Sequence, residues 1–260
     1  MNELLSLAWQ DILSFIFVFA RVGIIFALVP FFSAEIVPRR IAAIIAFFLS
    51  LVIIPVVPAP GIAADGLDVI TLTVLLVHEL LIGLCLGLAV NVIFAGVQIA
   101  GELIGFQMGF GIVNIVDPMT GVDAPITSNV LYIVAFLLFF SFGGHHLLIR
   151  ALVESFYVVP VEAGFPGQNY VLTVLSYAAR MFLIGIKVAA PVIGVLLLLN
   201  ISFALTARAI PQMNVFLMSF PVTIALGLTF LIVVIKMMPS FMNSALADAW
   251  VFMKSTMPLF

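Results

Sequence analysis

Charge is what this sequence has least of. Only 8% of its 260 residues are charged, whereas 65% are hydrophobic and the mean hydropathy is +1.39. Soluble domains carry about a quarter charged residues, so this chain has too few to cover a water-facing surface. The formal net charge of −3 also excludes the basic surface that a nucleic-acid-binding protein needs. The composition therefore predicts a membrane protein that contacts lipid or other subunits and no nucleic acid.

Cysteine and the sequence motifs of catalysis are scarce as well. Cys85 is the single cysteine, so no internal disulfide can form, and its apolar run suits a small core residue. His145 and His146 point to different faces of a helix and lack the further ligands that a zinc site needs. No phosphate-binding loop, dinucleotide fingerprint or hydrolase motif occurs. We predict a protein that is not an enzyme and binds no cofactor or metal.

Long apolar stretches dominate the chain and predict an all-α fold. About 20 apolar residues cross the ~30 Å hydrocarbon core of a bilayer. Because the first ten residues contain no lysine or arginine, we expect the first stretch to be a retained helix rather than a signal peptide. Six stretches stand out: Asp11–Phe32, Ile41–Val57, a third from Val69 past Glu102, Asn129–Phe142 followed by the shorter Leu147–Val159, Val171–Leu199, and Val215–Met238, which we expect Pro239 to end.

The C-terminal tail, residues 240–260, has a different pattern. Its apolar side chains recur at helical spacing on one face, namely Met242, Ala245, Leu246, Ala249, Trp250 and Met253. This spacing predicts an amphipathic helix that lies in an interface.

One face of the third stretch carries only small or polar side chains. Steps of three or four residues, close to the helical period, connect these positions. Small residues let a second helix approach closely, and a carboxylate on this face is costly against lipid. This small-polar stripe therefore predicts contact with another helix of the same chain, with a partner subunit, or with a water-filled lumen. Its members are Gly83, Gly87, Asn91, Ala95, Gln98, Glu102, Gly105 and Gly109.

The segment after this helix, residues 105–122, combines glycines with large apolar side chains. Its glycines permit backbone shapes closed to other residues, and Pro118 disfavours a helix at Asp117. The segment is nevertheless too apolar for a loop in solvent. Non-helical backbone at membrane depth is tolerated only where protein buries it or where it lines a cavity. Two interpretations stay open: a deformable stopper inside a pore, and a re-entrant loop buried for structural reasons.

Four charged residues lie in or beside the apolar stretches, and we expect them to be buried: Arg21, Glu79, Arg180 and Lys187. Arg180 and Lys187 are seven residues apart and share a helical face. A secondary transporter places carboxylates near the midplane of broken helices, so Glu79 and Glu102 are candidates for ion coupling. An ion pair between subunits accounts for them as well.

Four pieces of sequence together carry a resemblance to a known family. They are FFSAEIVPRRIAAIIA (31–46), AGELIGFQMGFGIVNIVDPMTG (100–121), FGGHHLLI (142–149) and LNISFALTARAIPQMNVFLMSFPVTIALG (199–227). The chain resembles, over essentially its whole length, the FliR family of flagellar type III export-gate subunits, which has injectisome counterparts. The resemblance implies one domain, 1–260, of long helical hairpins packed into a membrane-associated, multi-subunit pore complex.

The resemblance also implies partners and a site. FliP and FliQ would form the closed pore with this chain, an FlhB-family protein would wrap its entrance, and an FlhA-family protein would supply the energised neighbour. Unfolded export substrates would pass through it at the flagellar basal body in the bacterial inner membrane, with some apolar stretches above the bilayer plane. The implied pore plug comprises Phe106, Gln107, Met108, Gly109, Phe110, Gly111, Ile112, Val113, Asn114, Asp117, Pro118 and Met119.

Three functions are therefore weighed. The first is a non-enzymatic export-gate subunit with a plug, which the resemblance favours in its flagellar form. The second is a stand-alone secondary transporter coupled through Glu79 or Glu102. The third is a structural membrane scaffold without a pore. Export requires a stable large complex, whereas a transporter does not.

Overall fold

Helices account for nearly all of the described structure. The structure, a computed structural model, describes residues 2–33, 38–58, 68–110, 126–161, 165–167, 169–212 and 214–260. Within these ranges it contains no strand. The all-α prediction is confirmed.

Nine α-helices follow one another along the described chain. The first three are α1 (Asn2–Leu28), the short α2 (Pro30–Ser33) and α3 (Arg39–Ile53), which continues as a 3₁₀ turn, Ile54–Val56. The long helix α4 covers Val69–Gln107. The rest are α5 (Ile126–Ser141), α6 (Gly144–Val158), α7 (Asn169–Ala178), α8 (Arg180–Ala209) and α9 (Val215–Thr256), with a final 3₁₀ turn at Met257–Leu259.

Several of these helices have the length and hydropathy of membrane spans. Five helical stretches of the described chain meet both conditions, and α5 together with α6 can make a sixth. At 1.5 Å per residue, the 39 residues of α4 extend about 58 Å, well beyond one hydrocarbon core. The prediction that the third stretch continues past Glu102 is confirmed.

Two predicted helix ends are wrong. The fifth stretch does not stop at Leu199, because α8 runs to Ala209. Pro239 does not end the sixth stretch, because α9 continues through it to Thr256. Proline removes one backbone hydrogen bond and clashes with the preceding turn. The helix persists because the turns after Pro239 bury a continuous apolar face that includes Met242 and Met253.

The chain divides into two compact units, and α4 and α9 each contribute to both. Unit 1 consists of Met1–Val92, Gly143–Ala178 and Leu246–Phe260. In its core, Leu13, Phe17 and Val161 pack together, with leucines of the first turns of α4 against them.

The last part of α9 packs inside unit 1. The ring of Phe252 stacks on Tyr177 at 3.7 Å between centroids, and Phe260 lies edge-on against Tyr170 at 4.8 Å. Leu246, Ala249 and Met253 are buried. The predicted apolar face of the tail therefore exists, but protein covers it, so the prediction that the helix lies in an interface is corrected. Its part from Leu246 onward belongs to the core of unit 1, whereas Met242 and Ala245 are buried in unit 2.

Unit 2 consists of Ile93–Phe142 and Ala179–Ala245. The second part of α4 packs here against α5 and α8. Phe94 contacts the rings of Tyr132 and Phe139 on α5, with centroids 5.7 Å and 5.5 Å away. On α8, Val188, Val192 and Leu196 are buried on one face. This packing leaves one edge of α4 uncovered by unit 2.

Candidate functional site

The first half of the small-polar stripe packs against α1 within unit 1. A Cβ on Gly83 would run into the side chain of Ile24 and lie 2.7 Å from the carbonyl oxygen of Arg21. A Cβ on Gly87 would lie 2.9 Å from the Cβ of Leu28. These two positions require glycine because the helix backbones nearly touch. For this half of the stripe, packing against another helix of the same chain is confirmed.

Asn91 completes this contact between α1 and α4. Its side-chain Nδ2 donates a hydrogen bond of 2.8 Å to the carbonyl oxygen of Leu28. Leu28 is the last residue of α1, and carbonyls at a helix C-terminus have no partner within the helix. Asn91, a polar residue of the stripe, therefore supplies the hydrogen bond that the end of α1 lacks.

Arg21 and Glu79 form an ion pair in the core of unit 1. Arg21 Nε donates to Glu79 Oε2 at 2.6 Å, and Nη2 donates to Oε1 at 2.8 Å. Both side chains are 0% exposed. Nη1 also donates to Ser155 Oγ at 2.8 Å, and the guanidinium lies 3.8 Å from the centre of the Phe156 ring. The pair thus joins α1, α4 and α6.

This geometry favours structural pairing of Glu79 over ion coupling. Both carboxylate oxygens accept bonds from Arg21, and the fork of the guanidinium matches the carboxylate in plane and spacing. The partner of Glu79 lies in the same chain, 58 residues away, rather than in another subunit.

The expected burial is wrong for the other two charged residues. Arg180 and Lys187 are both exposed on this chain. The buried face of α8 carries Gly185, Val188 and Ala189, and the two basic residues lie outside it. The two basic residues therefore lie on an exposed part of α8.

The second half of the stripe lies in unit 2 and turns outward. Ala95 is half-buried, whereas Gln98 and Glu102 are exposed. One turn further, the ring of Phe106 is 76% exposed. Gly105 is buried, so it does not belong to this exposed edge. We call Ala95, Gln98, Glu102 and Phe106 the outer edge of α4.

Other glycines on the opposite side hold α4 in unit 2. A Cβ on Gly96 would collide with Ile184 of α8, and a Cβ on Gly101 would collide with the backbone of Ser128 on α5. Thr127 Oγ1 donates a bond of 2.7 Å to the carbonyl oxygen of Gly101. Close packing on this side fixes the rotation of the helix, so the outer edge faces away from unit 2.

The helix ends in a glycine cap at the start of the implied plug. The N–H of Gly109 donates to the carbonyl of Phe106 at 3.0 Å, and the N–H of Phe110 donates to that of Gly105 at 3.0 Å. Gly109 has φ +90°, a backbone conformation that favours glycine. These two bonds form a Schellman motif, the usual glycine-dependent stop of a helix. Phe106 and Gln107 therefore end α4 rather than begin an irregular loop, which corrects the predicted boundary.

Met108 is an anchor rather than a free sealing side chain. It is 0% exposed, and its side chain packs on Gly227 of α9, where a Cβ would lie 2.6 Å from Met108 Cγ. A Cβ added to the next residue, Gly109, would lie 3.0 Å from the ring of Phe220. Met108, one of the implied plug residues, is therefore packed against α9.

The remaining plug residues lie outside the described part of the chain. They are Gly111, Ile112, Val113, Asn114, Asp117, Pro118 and Met119. Their implied role stays a prediction.

Chemistry at this site rests on polar contacts and shape. In the part of the chain that the structure describes, no three histidine, cysteine or acidic side chains come together as metal ligands. The site offers two exposed polar side chains, Gln98 and Glu102, on a long and mostly apolar helix that ends in a glycine cap.

Sequence reasoning missed the partners that these elements use. Ser155 and Phe156 were not candidates, although they complete the Arg21 contacts. Gly96 and Gly185, which face Ile184 and Ile99 across one helix contact, were missed too. Two intramembrane charges of opposite sign in different apolar stretches were a usable signal for the Arg21–Glu79 pair.

Comparisons with known proteins agree over most of the chain. The family model for bacterial export proteins, family 1, matches residues 12–249. The flagellar biosynthetic protein FliR of Bacillus subtilis (strain 168) is 35% identical over 224 residues, covering 85% of each chain. FliR of Escherichia coli (strain K12) is 31% identical over 221 residues, covering 85% of this chain and 84% of its own. FliR of Aquifex aeolicus (strain VF5) is 29% identical over 245 residues, with 94% and 90% covered.

Proposed function

The chain belongs to the FliR family of flagellar export proteins, which is family 1 of the bacterial export proteins, and from this premise we propose that it is a non-enzymatic subunit of the flagellar export gate. It assembles with FliP and FliQ into a pore in the inner membrane at the flagellar basal body. Unfolded export substrates pass through this pore. FlhB-family and FlhA-family proteins act at its entrance and as its energised neighbour.

One observation carries this proposal: two polar residues of the outer edge, Gln98 and Glu102, are exposed on a mostly apolar helix of membrane-spanning length. A carboxylate such as that of Glu102 costs roughly 3 kcal/mol at the centre of a bilayer. Lipid is therefore the least favourable neighbour for Gln98 and Glu102. Another subunit or a water-filled lumen covers this edge in the assembled gate.

The plug follows from the same edge. The helix α4 ends beside exposed Phe106, at a backbone held by Met108 and the Gly109 cap. The implied plug residues, apart from the anchoring Met108, contribute the closure of the resting pore at this fixed point.

A loop deletion tests the plug. Removing Ile112–Met119 should leave the complex with FliP and FliQ intact and raise the ion conductance of the membrane, because the pore loses its closure. Normal co-purification of the subunits establishes that assembly is unaffected. Unchanged conductance with an intact complex would refute the plug.

A crosslinking experiment tests the outer edge separately. A photoreactive amino acid at Gln98 should crosslink to another subunit or to an export substrate. The comparison site is Leu137 on α5, whose apolar side chain is 61% exposed. Lipid as the sole product at Gln98 would contradict the proposed gate interface. A chain that purifies without other subunits would contradict the gate assignment itself.

The alternative, a stand-alone secondary transporter with an intramembrane carboxylate, has less support. Glu79 is engaged by Arg21 through both oxygens, and Glu102 lies alone on an outward face. Abolished substrate uptake by the purified chain after Glu102→Gln would revive this alternative.

A further inference from the structure

Two lysines share a groove between α8 and the middle of α9, in unit 2. The groove has a volume of about 570 Å³. Lys187 on α8 and Lys236 on α9 line it, together with the hydroxyl groups of Ser240 and Ser244 and apolar side chains that include Val188 and Val234. Both lysines are exposed. The groove is thus a cationic, hydroxyl-bearing cleft with an apolar wall.

Among the residues that the structure describes, none of those lining the groove is acidic, so none balances these two charges. Ionised lysines in apolar surroundings are stable only when an anion or water meets them. The groove therefore fits an anionic ligand.

The position of the lysines along the helices matches the edge of a bilayer. Between Lys187 and Arg208, α8 carries no charge, and α9 carries none from Val215 to Lys236. Each uncharged stretch is about 20 residues long, which at 1.5 Å per residue gives roughly 30 Å, the thickness of the hydrocarbon core. After Lys236, serine and asparagine enter the helix. The lysines thus stand at one boundary of an apolar hairpin and Arg208 at the other.

We propose that this groove binds one anionic phospholipid, with its phosphate between Lys187 and Lys236. The ammonium groups pair with the phosphate, and Ser240 lies on the water-facing side of the lysines, where its hydroxyl donates to the headgroup. The hydroxyl of Ser244 donates to the carbonyl of Phe241 at 2.8 Å. Val188 and Val234 lie on the membrane side and contact an acyl chain. Basic clefts between membrane helices are suited to such headgroups. Ile232, which precedes Lys236 on the membrane side of α9, is exposed and suits an acyl environment.

The site is tested with the full chain, extracted together with whatever subunits co-purify, so the test does not depend on their identity. Native mass spectrometry measures the retention of phosphatidylglycerol, with phosphatidylcholine as the neutral probe. The double variant Lys187→Gln/Lys236→Gln should retain on the order of tenfold less phosphatidylglycerol. The matched variant Lys187→Arg/Lys236→Arg keeps both charges and should retain it like the original chain. Equal retention of phosphatidylglycerol by all three proteins would overturn the proposal. Retention of phosphatidylcholine equal to that of phosphatidylglycerol would overturn it as well.

A second measurement uses the unaltered lysines, so that a variant that fails to assemble leaves the proposal testable. A photoreactive phosphatidylglycerol should label Met237, which lines the groove and is 55% exposed. Labelling should decrease when unlabelled phosphatidylglycerol competes and remain when phosphatidylcholine is added. If a photoreactive group at Met237 instead crosslinks only to a neighbouring protein, a subunit occupies the groove and the lipid assignment is wrong.

Discussion

Met108 lies against the backbone of Gly227, so closely that a Cβ at position 227 would be 2.6 Å from Met108 Cγ and 2.8 Å from its Sδ. The contact joins the end of α4 to α9 within unit 2. It holds the residue from which the proposed plug loop departs. Met108, from which the proposed plug continues, can therefore take this position only because residue 227 has no side chain.

Gly227→Val should release this anchor. The added side chain occupies the space of Met108, and overpacking of this kind costs about 1–3 kcal/mol. The expected result is a lower unfolding temperature of the purified protein and a higher ion leak in the gate. Gly194→Val is the control, since an added Cβ there meets nothing within 4 Å. Equal effects of the two substitutions would show that Met108 is not held by Gly227.

Gly83→Ala should weaken the contact between α1 and α4. Its methyl group would meet a backbone carbonyl, that of Arg21 at 2.7 Å, which cannot rotate away as a side chain can. We expect a loss of about 1–3 kcal/mol in the free energy of unfolding. Gly23→Ala on α1 is the matched control, because a Cβ there has open space. Denaturant titration in detergent measures both, and a stable Gly83→Ala protein would refute the close contact.

Breaking the ion pair on one side should be more costly than removing it whole. Arg21→Met or Glu79→Leu alone leaves a buried, unpaired charge, and such losses amount to about 3–5 kcal/mol. The double variant Arg21→Met/Glu79→Leu removes both charges and should recover much of that loss. A double-mutant cycle of unfolding free energies measures the coupling. Additive single effects would mean that the two side chains do not interact.

Phe252→Ala should destabilise unit 1. The ring is 5% exposed and stacks on Tyr177 at 3.7 Å between centroids. Loss of a buried phenylalanine costs about 3–5 kcal/mol, because a cavity remains. The neighbouring Val251 is 64% exposed, so Val251→Ala is the control and should change stability little. Amide hydrogen exchange should show the loss of protection in unit 1, and a change confined to unit 2 would contradict this packing.

Much of the fold was predictable because the pattern that specifies a helix is local. The uninterrupted apolar run after Val69 predicted the long α4, and the small-polar stripe predicted close helix contact at Gly83 and Gly87. Pro239 shows the limit of that reasoning. A local rule ends the helix at proline, but the apolar face that follows, buried at Met242 and Met253, keeps it helical.

The candidate site was predicted only in part, for a related reason. The stripe reads as one continuous face in sequence, yet Gly83 and Asn91 contact α1 while Gln98 and Glu102 are exposed. The choice depends on Gly96 and Gly101, whose contacts with α8 and α5 set the rotation of α4 in unit 2. Nothing in the spacing of the stripe itself separates its two halves.

By itself, the sequence determined the membrane character, the helical class and the family, because composition, helical periodicity and matched residues are all properties of the chain order. Only the tertiary structure decided which charges are buried. Arg21 and Glu79 are 58 residues apart and pair, whereas Arg180 and Lys187 are exposed. Burial depends on which helix packs across from a side chain, and residues distant in sequence supply that helix.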